Sequence, residues 1–223
     1  MYFATFSIVA RDNRTDDYGV GSCTAAPCVG AFLPFAQEGV GAIATQAWVN
    51  VNLGYQGLEL MRSGLSVKSA LEALLAEDAG RARRQVIGID KDSVFGYTGE
   101  ECSGAKGHLL HRDFAVAGNI LASMGVLDAM VLTWKKSKGD LAHRILSALE
   151  AGQAAGGDSR GKMSAALLVS SSKPRLYHNL RVDMHDDPIG ELRRVFDRCE
   201  KLQTEYGDDD GEVLRLRPRT ARR

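Results

Sequence analysis

The sequence predicts an α+β protein, and three observations support this class. Apolar runs typical of strands come in blocks, the first of them over residues 3–50. Segments with apolar residues at helical spacing follow the first two blocks in pairs and the third block as a single helix. Short polar turns join the strands within a block, which favours antiparallel pairing over a parallel sheet of alternating strands and helices.

The first half of the chain contains one block of strands and one pair of helices. Four strands are predicted, over residues 3–10, 18–23, 28–33 and 39–46. The polar cluster at residues 12–17 predicts a hairpin between the first two strands. In the first helix the apolar face carries Leu58, Met61 and Leu65, and Ser66 is the expected N-cap of the second.

The second half repeats this organisation. Further strands are predicted over residues 85–90, 93–98, 114–116, 164–170 and 180–183. Apolar spacing predicts two helices, from Val126 to Trp134 and from Leu141 to Leu149, and Pro188 opens a last helix. No linker interrupts residues 1–206, so we expect a single domain there, followed by a charged tail at 207–223 that is mobile or docked on a partner.

Composition excludes several classes of protein. The 28 basic residues balance the 28 acidic ones, so no net charge attracts the chain to nucleic acid or to an anionic membrane. Apolar runs end well before the ~18 residues of a membrane span, and residues 1–10 lack the basic start of a signal peptide. Of four cysteines only Cys23 and Cys28 are close, which fits neither a disulfide framework nor a four-ligand zinc site. We predict a cytoplasmic protein that needs no metal or cofactor.

The strongest candidate site in the residues themselves is the loop at 156–161, with the sequence Gly-Gly-Asp-Ser-Arg-Gly, ahead of Ser164. Glycines such as Gly157 let a backbone approach a ligand, while Arg160 could bind a substrate carboxylate and Asp158 an ammonium group. The alternative is a loop that ends a helix, in which the two charged side chains satisfy the backbone and each other. The ending Gly-Lys-Ser/Thr of a phosphate-binding P-loop is missing.

Four other polar residues are weaker candidates. Asp183 and His185 stand two apart on a predicted strand, which would place them on one face as half of a divalent metal site or as an acid/base pair. Alternatively, Asp183 orients His185 while Asp187 caps the last helix. Gln46 and Asn119 end strands and could donate their amides to an oxyanion, or could belong to turns.

Several strings occur in an order typical of one family. They are Thr-Phe-Ser-Ile-Val-Ala-Arg-Asp at 5–12, Gly-Val-Gly-Ala-Ile-Ala-Thr-Gln at 39–46, Gly-Tyr-Gln-Gly-Leu at 54–58 and Ala-Gly-Gly-Asp-Ser-Arg-Gly at 155–161. Together they resemble the domain of unknown function 1028 family of bacterial and archaeal proteins, over about residues 3–200. The resemblance implies a four-layer αββα sandwich like that of N-terminal-nucleophile hydrolases. It also implies a homo-oligomer, since such sandwiches often associate through their helical layers.

The resemblance further implies a nucleophile at the start of the first long strand, whose own free α-amino group acts as the base. Thr5 matches that position. In many members of the family the matching Thr follows the initiator Met, whereas here Met1-Tyr2-Phe3-Ala4 precedes it, so exposing Thr5 would need self-cleavage after Ala4. Thr24 and Ala25 stand where relatives often have Ser followed by a basic residue or His, so a charge partner for the nucleophile is absent there.

The leading hypothesis is therefore an N-terminal-nucleophile-like hydrolase of linear amide bonds in a small amino-acid or peptide-like molecule. Its predicted catalytic residues are Thr5 and His185, and its predicted substrate-binding residues are Gln46, Asn119, Gly157, Asp158, Arg160, Ser164 and Asp183. Three alternatives remain open at this point. The first is that Thr5 is an ordinary β-branched strand residue. The second is that the protein binds a ligand or assembles without catalysis, and the third is that it is a metal-dependent hydrolase around Asp183 and His185.

Overall fold

A computed structural model describes residues 2–206 and has a mixed α+β fold, as the sequence predicts. Its strands are β1 (Tyr2–Phe3), β2 (Thr5–Asp12), β3 (Asp17–Thr24), β4 (Pro34–Gln37), β5 (Gly41–Trp48), β6 (Arg84–Ile89), β7 (Val94–Thr98), β8 (Ala105–Leu110), β9 (Phe114–Leu121), β10 (Ser164–Ser170) and β11 (Asn179–Val182). Its helices are α1 (Asn52–Arg62), α2 (Val67–Glu77), α3 (Gly125–Lys136), α4 (Leu141–Ala154) and α5 (Pro188–Tyr206).

The strands form two antiparallel sheets. One has five strands in the order β1-β5-β6-β7, and β4 pairs with β5 along the same edge as β1. The other has six strands in the order β11-β10-β3-β2-β9-β8. The predicted tail at 207–223 lies outside the described residues. No helix in the described part of the chain is long and apolar enough to cross a membrane.

Three apolar cores hold these elements together. The helices α1 and α2 cover the five-stranded sheet with a core that includes Ile43 and Leu71. The helices α3, α4 and α5 cover the six-stranded sheet around Phe6 and Phe196. A third core, with Val9 among its members, fills the space between the two sheets. Each large side chain buried in this way stabilises the fold by about 1.5–3 kcal/mol.

The predicted first strand, 3–10, is two strands in the structure. Phe3 pairs with Ala47 in the five-stranded sheet, whereas Thr5 pairs with Thr24 in the six-stranded sheet. Ala4 lies between β1 and β2 and is fully buried. The alternation of apolar residues continues across Ala4, which is why the sequence does not reveal the crossing between sheets.

Two other predicted strands need correction. Residues 28–33 form a short 3₁₀ turn at Val29–Ala31 because Cys28 has a left-handed φ of 61° and its carbonyl accepts the Ala31 N–H. The last predicted strand ends at Val182, which places Asp183 and His185 in a bend beyond β11 instead of on one face of a strand.

The structure adds two strands and shortens one helix. The strands β4 and β8 were not predicted, and β4 starts at Pro34, a residue that reads as a strand breaker. Helix α1 ends at Arg62 because Gly64, with φ of 104°, turns the chain away. Leu65 therefore lies beyond the helix and is partly exposed, contrary to its predicted place on the apolar face.

Candidate functional site

Hydroxyl and amide side chains line one end of the space between the sheets. The antiparallel register places Ser164 beside Thr24 and Thr24 beside Thr5. Asn119 follows Gly118, the partner of Phe6, so the next step of the same register places it beside Thr5. Ser164, Thr24, Thr5 and Asn119 are fully buried. We call this set the hydroxyl row.

The carbonyl oxygen of Ala4 accepts two side-chain hydrogen bonds at the start of this row. One comes from the Thr24 hydroxyl and the other from Nη2 of Arg160, at 3.2 Å. The Thr5 hydroxyl donates to the carbonyl of Phe3 at 2.9 Å. A carbonyl oxygen with one neutral and one cationic donor is strongly polarised, because donors of this kind stabilise negative charge on that oxygen.

Arg160 is held by the glycine-rich loop. The carboxylate of Asp158 accepts from Arg160 at Nε (3.1 Å) and Nη2 (2.8 Å), and also from the backbone N–H of Ala25 at 3.1 Å. A bridge between Asp158 and Leu121 joins the loop to the end of β9. The sequence left open whether Asp158 and Arg160 bind a ligand or each other. In the structure they bind each other and still direct the guanidinium at Ala4.

Gly156, Gly157 and Gly161 all have a positive φ, a conformation that favours glycine at three points of this loop. Gly157 has φ of 55°, and a Cβ there would lie 3.0 Å from the Phe6 ring and from the Gln153 amide. Ser164, at the end of the loop, donates to the carbonyl of Ala26 at 2.6 Å and accepts the N–H of Val29 at 3.0 Å. Ser164 therefore holds the turn after β3, which itself carries Thr24.

A buried amide network connects the two sheets behind Thr5. Gln46 accepts from the Ser7 hydroxyl at 2.6 Å and donates to Gln85 at 2.7 Å and to the carbonyl of Thr5 at 3.4 Å. Asn119 donates to the same Gln85 oxygen at 2.9 Å. The amide groups of Gln46 and Asn119 are thus already engaged by protein acceptors, and Gln46 fixes the backbone of Thr5.

Two polar atoms of this region have no hydrogen-bond partner among the described residues. They are Oδ1 of Asn119 and Oγ of Ser22, and both residues are fully buried. A buried acceptor without a donor costs about 1–3 kcal/mol. The Asn119 oxygen therefore provides an acceptor in the hydroxyl row for a donor that residues 2–206 do not supply before cleavage.

The amide network ends at a half-buried histidine. Gln85 donates to the Thr98 hydroxyl at 2.9 Å, and that hydroxyl hydrogen-bonds to Nδ1 of His108, also at 2.9 Å. Burial lowers the pKa of His108 below its usual value, which favours the neutral ring. His108 lies in β8, the edge strand of the six-stranded sheet.

Asp183 and His185 lie at the surface in the structure. The Asp183 carboxylate pairs with Arg181 at 2.8 Å, and Nδ1 of His185 accepts the N–H of Asp187 at 2.9 Å. Asp183 therefore contacts Arg181 and, contrary to one prediction from the sequence, does not orient His185. Within residues 2–206 there is no group of three or more His, Cys, Asp or Glu residues that could hold a metal ion.

Cys23 is next to Thr24 but faces the helices on the other side of the sheet. Burial, and then the negative charge of Asp158, raise the pKa of Cys23 to about 12. Its side chain is consequently a thiol at neutral pH, and only a thiolate is an effective nucleophile. Among the residues at this end of β2 and β3, the Thr5 hydroxyl is thus the better candidate.

Two residues of this site, Thr24 and Gln85, were not predicted from the sequence. Thr24 was noted only as a departure from the family pattern, yet a hairpin turn at 12–17 already places residue 24 opposite residue 5. Gln85 links both sheets, and no local pattern signals that role because its partners come from four other strands, β5, β7, β8 and β9.

The chain is similar to one protein family and to two solved structures. The model of a family of unknown function, DUF1028, matches residues 5–192. A crystal structure of the DUF1028-family protein SPO2555 from Silicibacter pomeroyi is 32% identical, covering 87% of this chain and 88% of that one, with a TM-score of 0.81. Anbu (ancestral β-subunit) from Yersinia bercovieri is 10% identical over 94% of this chain and 100% of its own, with a TM-score of 0.41. No curated protein matches significantly. On the family match and the first structure, the chain belongs to the DUF1028 family.

Proposed function

We propose that this protein is an N-terminal-nucleophile-like hydrolase of linear amide bonds, and that it arms itself by cutting the bond between Ala4 and Thr5. The observation that carries the proposal is the Ala4 carbonyl, whose oxygen accepts from the Thr24 hydroxyl and from Arg160. The layering of two helices, two sheets and three helices is, on this proposal, the αββα sandwich of that class of enzyme.

The first reaction is an intramolecular acyl shift. The Thr5 oxygen attacks the Ala4 carbonyl carbon, which closes a five-membered ring, and the negative charge develops on the Ala4 oxygen between Thr24 and Arg160. The C–N bond then breaks, the hydroxyl proton passes to the Thr5 nitrogen, and an ester links Ala4 to Thr5. Water hydrolyses this ester and leaves Thr5 with a free hydroxyl and a free α-amino group.

Cleavage would give the unpartnered oxygen of Asn119 a hydrogen-bond donor. The new Thr5 amine supplies donors beside Asn119, whose Oδ1 is buried without a partner among the described residues. An amine with a pKa near 8 can then take the hydroxyl proton when a substrate amide is attacked. The family match begins at Thr5, so the segment up to Ala4 lies outside it, in keeping with a segment that is removed.

The position of Thr5 inside the protein also suits this chemistry. Gln46 fixes its backbone carbonyl and Thr24 lies beside it in register, so the nucleophile is placed by two sheets and not by a loop. A preorganised hydroxyl and preorganised donors are what an acyl transfer needs, since groups that need not reorganise contribute most to catalysis. We assign no catalytic role to His185, because its ring is exposed and engaged by Asp187.

The test is N-terminal sequencing and intact-mass analysis of untagged protein, before and after treatment with a β-lactone electrophile. We expect a chain that begins at Thr5 and carries one adduct, which peptide mapping places on Thr5. Thr5→Ala should keep the residues before position 5 and take up no label. Thr15→Ala, at the exposed hairpin turn, is the matched control and should behave as wild type. An uncut and unlabelled wild-type protein would refute the proposal.

A further inference from the structure

We infer that the positions now held by Phe3 and Ala4 are the binding subsites for the acyl part of the substrate. The substrate class is then short peptides or N-acylated dipeptide amides, with an aromatic residue followed by a small residue at the bond that is cut. The inference rests on the proposed function and adds to it the substrate class of the same site.

The ester of self-cleavage and the ester of substrate hydrolysis form on the same atom, the Thr5 oxygen. Self-cleavage joins the Ala4 acyl group to the Thr5 oxygen, and hydrolysis of a substrate joins the substrate acyl group to the same oxygen. In both reactions the carbonyl oxygen needs the donors of Thr24 and Arg160. Two esters on one oxygen with one set of donors must direct their acyl groups in the same direction, so the segment that ends at Ala4 occupies the path of the substrate.

The two subsites differ in what they admit. Ala4 is fully buried, so the space beside the reacting carbonyl suits a methyl group and leaves no room for a longer side chain. Phe3 is 2% exposed, and its ring stacks on Phe32 with centroids 5.8 Å apart. An aromatic pair of this kind adds about 0.5–1.5 kcal/mol to the burial of its area, so the second subsite favours a ring.

The main chain of the segment indicates a peptide-like substrate. The strand β4 covers the edge of β5 from Gly41 to Ala44, and β1 pairs with the same edge at Ala47 and Trp48. When the segment leaves, this short stretch of edge has unpaired N–H and C=O groups. An extended peptide can pair with them as an added strand, whereas a ligand without a peptide backbone cannot.

Hydrolysis of a substrate amide at Thr5 consumes water and no other co-reactant. The Thr5 oxygen attacks the carbonyl carbon, the amide C–N bond breaks, and the leaving amine receives the proton that the Thr5 α-amine took from the hydroxyl. Water then cleaves the ester, releases the carboxylic acid and restores the hydroxyl.

The experiment compares three fluorogenic amides on the purified protein: the 7-amido-4-methylcoumarin derivatives of N-acetyl-Phe-Ala, N-acetyl-Ala-Ala and N-acetyl-Phe-Leu. We expect kcat/KM to fall at least about tenfold when Phe is replaced by Ala and at least about tenfold when Ala is replaced by Leu. Phe32→Ala should cut kcat/KM for the Phe-Ala amide by about tenfold and leave the Ala-Ala amide unchanged. Tyr55→Ala removes an exposed aromatic that packs edge-to-face against Phe35, and it should change the rate of neither amide.

The outcomes separate this inference from the proposed function. Protein that begins at Thr5 and takes up the β-lactone, yet shows no preference among the amides or no effect of Phe32→Ala, overturns the subsites and leaves the hydrolase standing. Protein that is uncut and unlabelled at Thr5 overturns both.

Discussion

Two arginines of this chain bind a carboxylate two residues earlier with nearly the same geometry, and only one of them contacts the candidate site. Arg160 reaches Asp158 through Nε at 3.1 Å and Nη2 at 2.8 Å, and Arg14 reaches Asp12 through the same atoms at 3.1 and 2.7 Å. In both pairs the carboxylate is buried. The difference is the contact of Arg160 with the Ala4 carbonyl, so the pair provides a matched test.

We predict that Arg160→Gln slows self-cleavage by about 10²–10³, the usual effect of removing one oxyanion donor. The rate is measured by mass spectrometry after a pulse of in vitro translation. Arg14→Gln also leaves a buried carboxylate without its arginine, so it controls for lost stability and should cleave at the wild-type rate. If Arg160→Gln cleaves as fast as Arg14→Gln, Arg160 does not stabilise the reacting carbonyl.

At the scale of elements, the turn after β7 depends on a glycine that contacts backbone. A Cβ on Gly99 would lie 2.2 Å from the carbonyl oxygen of Ala82 and 2.7 Å from that of Arg81. The Gly99 N–H bonds to the carbonyl of Arg84 at 2.9 Å, at the start of β6. This hydrogen bond holds the turn after β7 against the connection that carries Arg81 and Ala82. The turn and that connection must therefore pack without a side chain between them.

Gly99→Ala should therefore lower the free energy of unfolding by about 1–3 kcal/mol, the usual cost of overpacking. Gly125→Ala is the matched control at the exposed start of α3, where the nearest atom is the flexible Ser123 hydroxyl at 3.1 Å. That variant should be neutral or gain up to about 1 kcal/mol, because Ala favours a helix over Gly. Urea unfolding measures both, and equal midpoints for the two variants would contradict the packing argument.

The elements that could be predicted from the sequence are those that fold by local pattern. Amphipathic spacing located all five described helices, and the hairpin of β2 and β3 follows from its polar turn. The crossing at Ala4 has no local signal, and β4 was missed because Pro34 reads as a breaker. The candidate site could be predicted from the sequence only in part, because its residues come from both sheets and contacts between sheets depend on tertiary packing.

At the scale of the whole molecule, carboxylates in three separate regions favour the folded state when they are charged. A side-chain hydrogen bond from Arg14 holds the pKa of Asp12 below its usual 3.8. Burial alone would raise the pKa of Asp78, but bonds from Arg84 and Asn50 outweigh it and lower the pKa. Burial also opposes the shift at Asp140, where the backbone and ring of His143 lower the pKa.

Buried histidines act in the same direction at higher pH. Burial lowers the pKa of His108 and of His178 below the usual 6.5, so the unfolded chain takes up these protons before the folded chain does. Stability rises with pH wherever the unfolded state binds more protons. As the pH falls, the histidines therefore lower the stability of the protein first, and the carboxylates lower it again in a second, more acidic range.

We predict that the urea midpoint falls as the pH is lowered through about 6.5, and falls again below about 3.8, where the unfolded carboxylates protonate first. The contribution of a carboxylate with a lowered pKa is complete above the unfolded value and is lost as the pH falls through the folded value. Asp78→Asn should thus cost about 1–3 kcal/mol at pH 7 and nothing once Asp78 is protonated in both states. Asp92→Asn removes an exposed carboxylate of the turn between β6 and β7 and should follow the wild-type curve. A curve for Asp78→Asn that runs parallel to wild type through the acid window would show that Asp78 is not linked to folding.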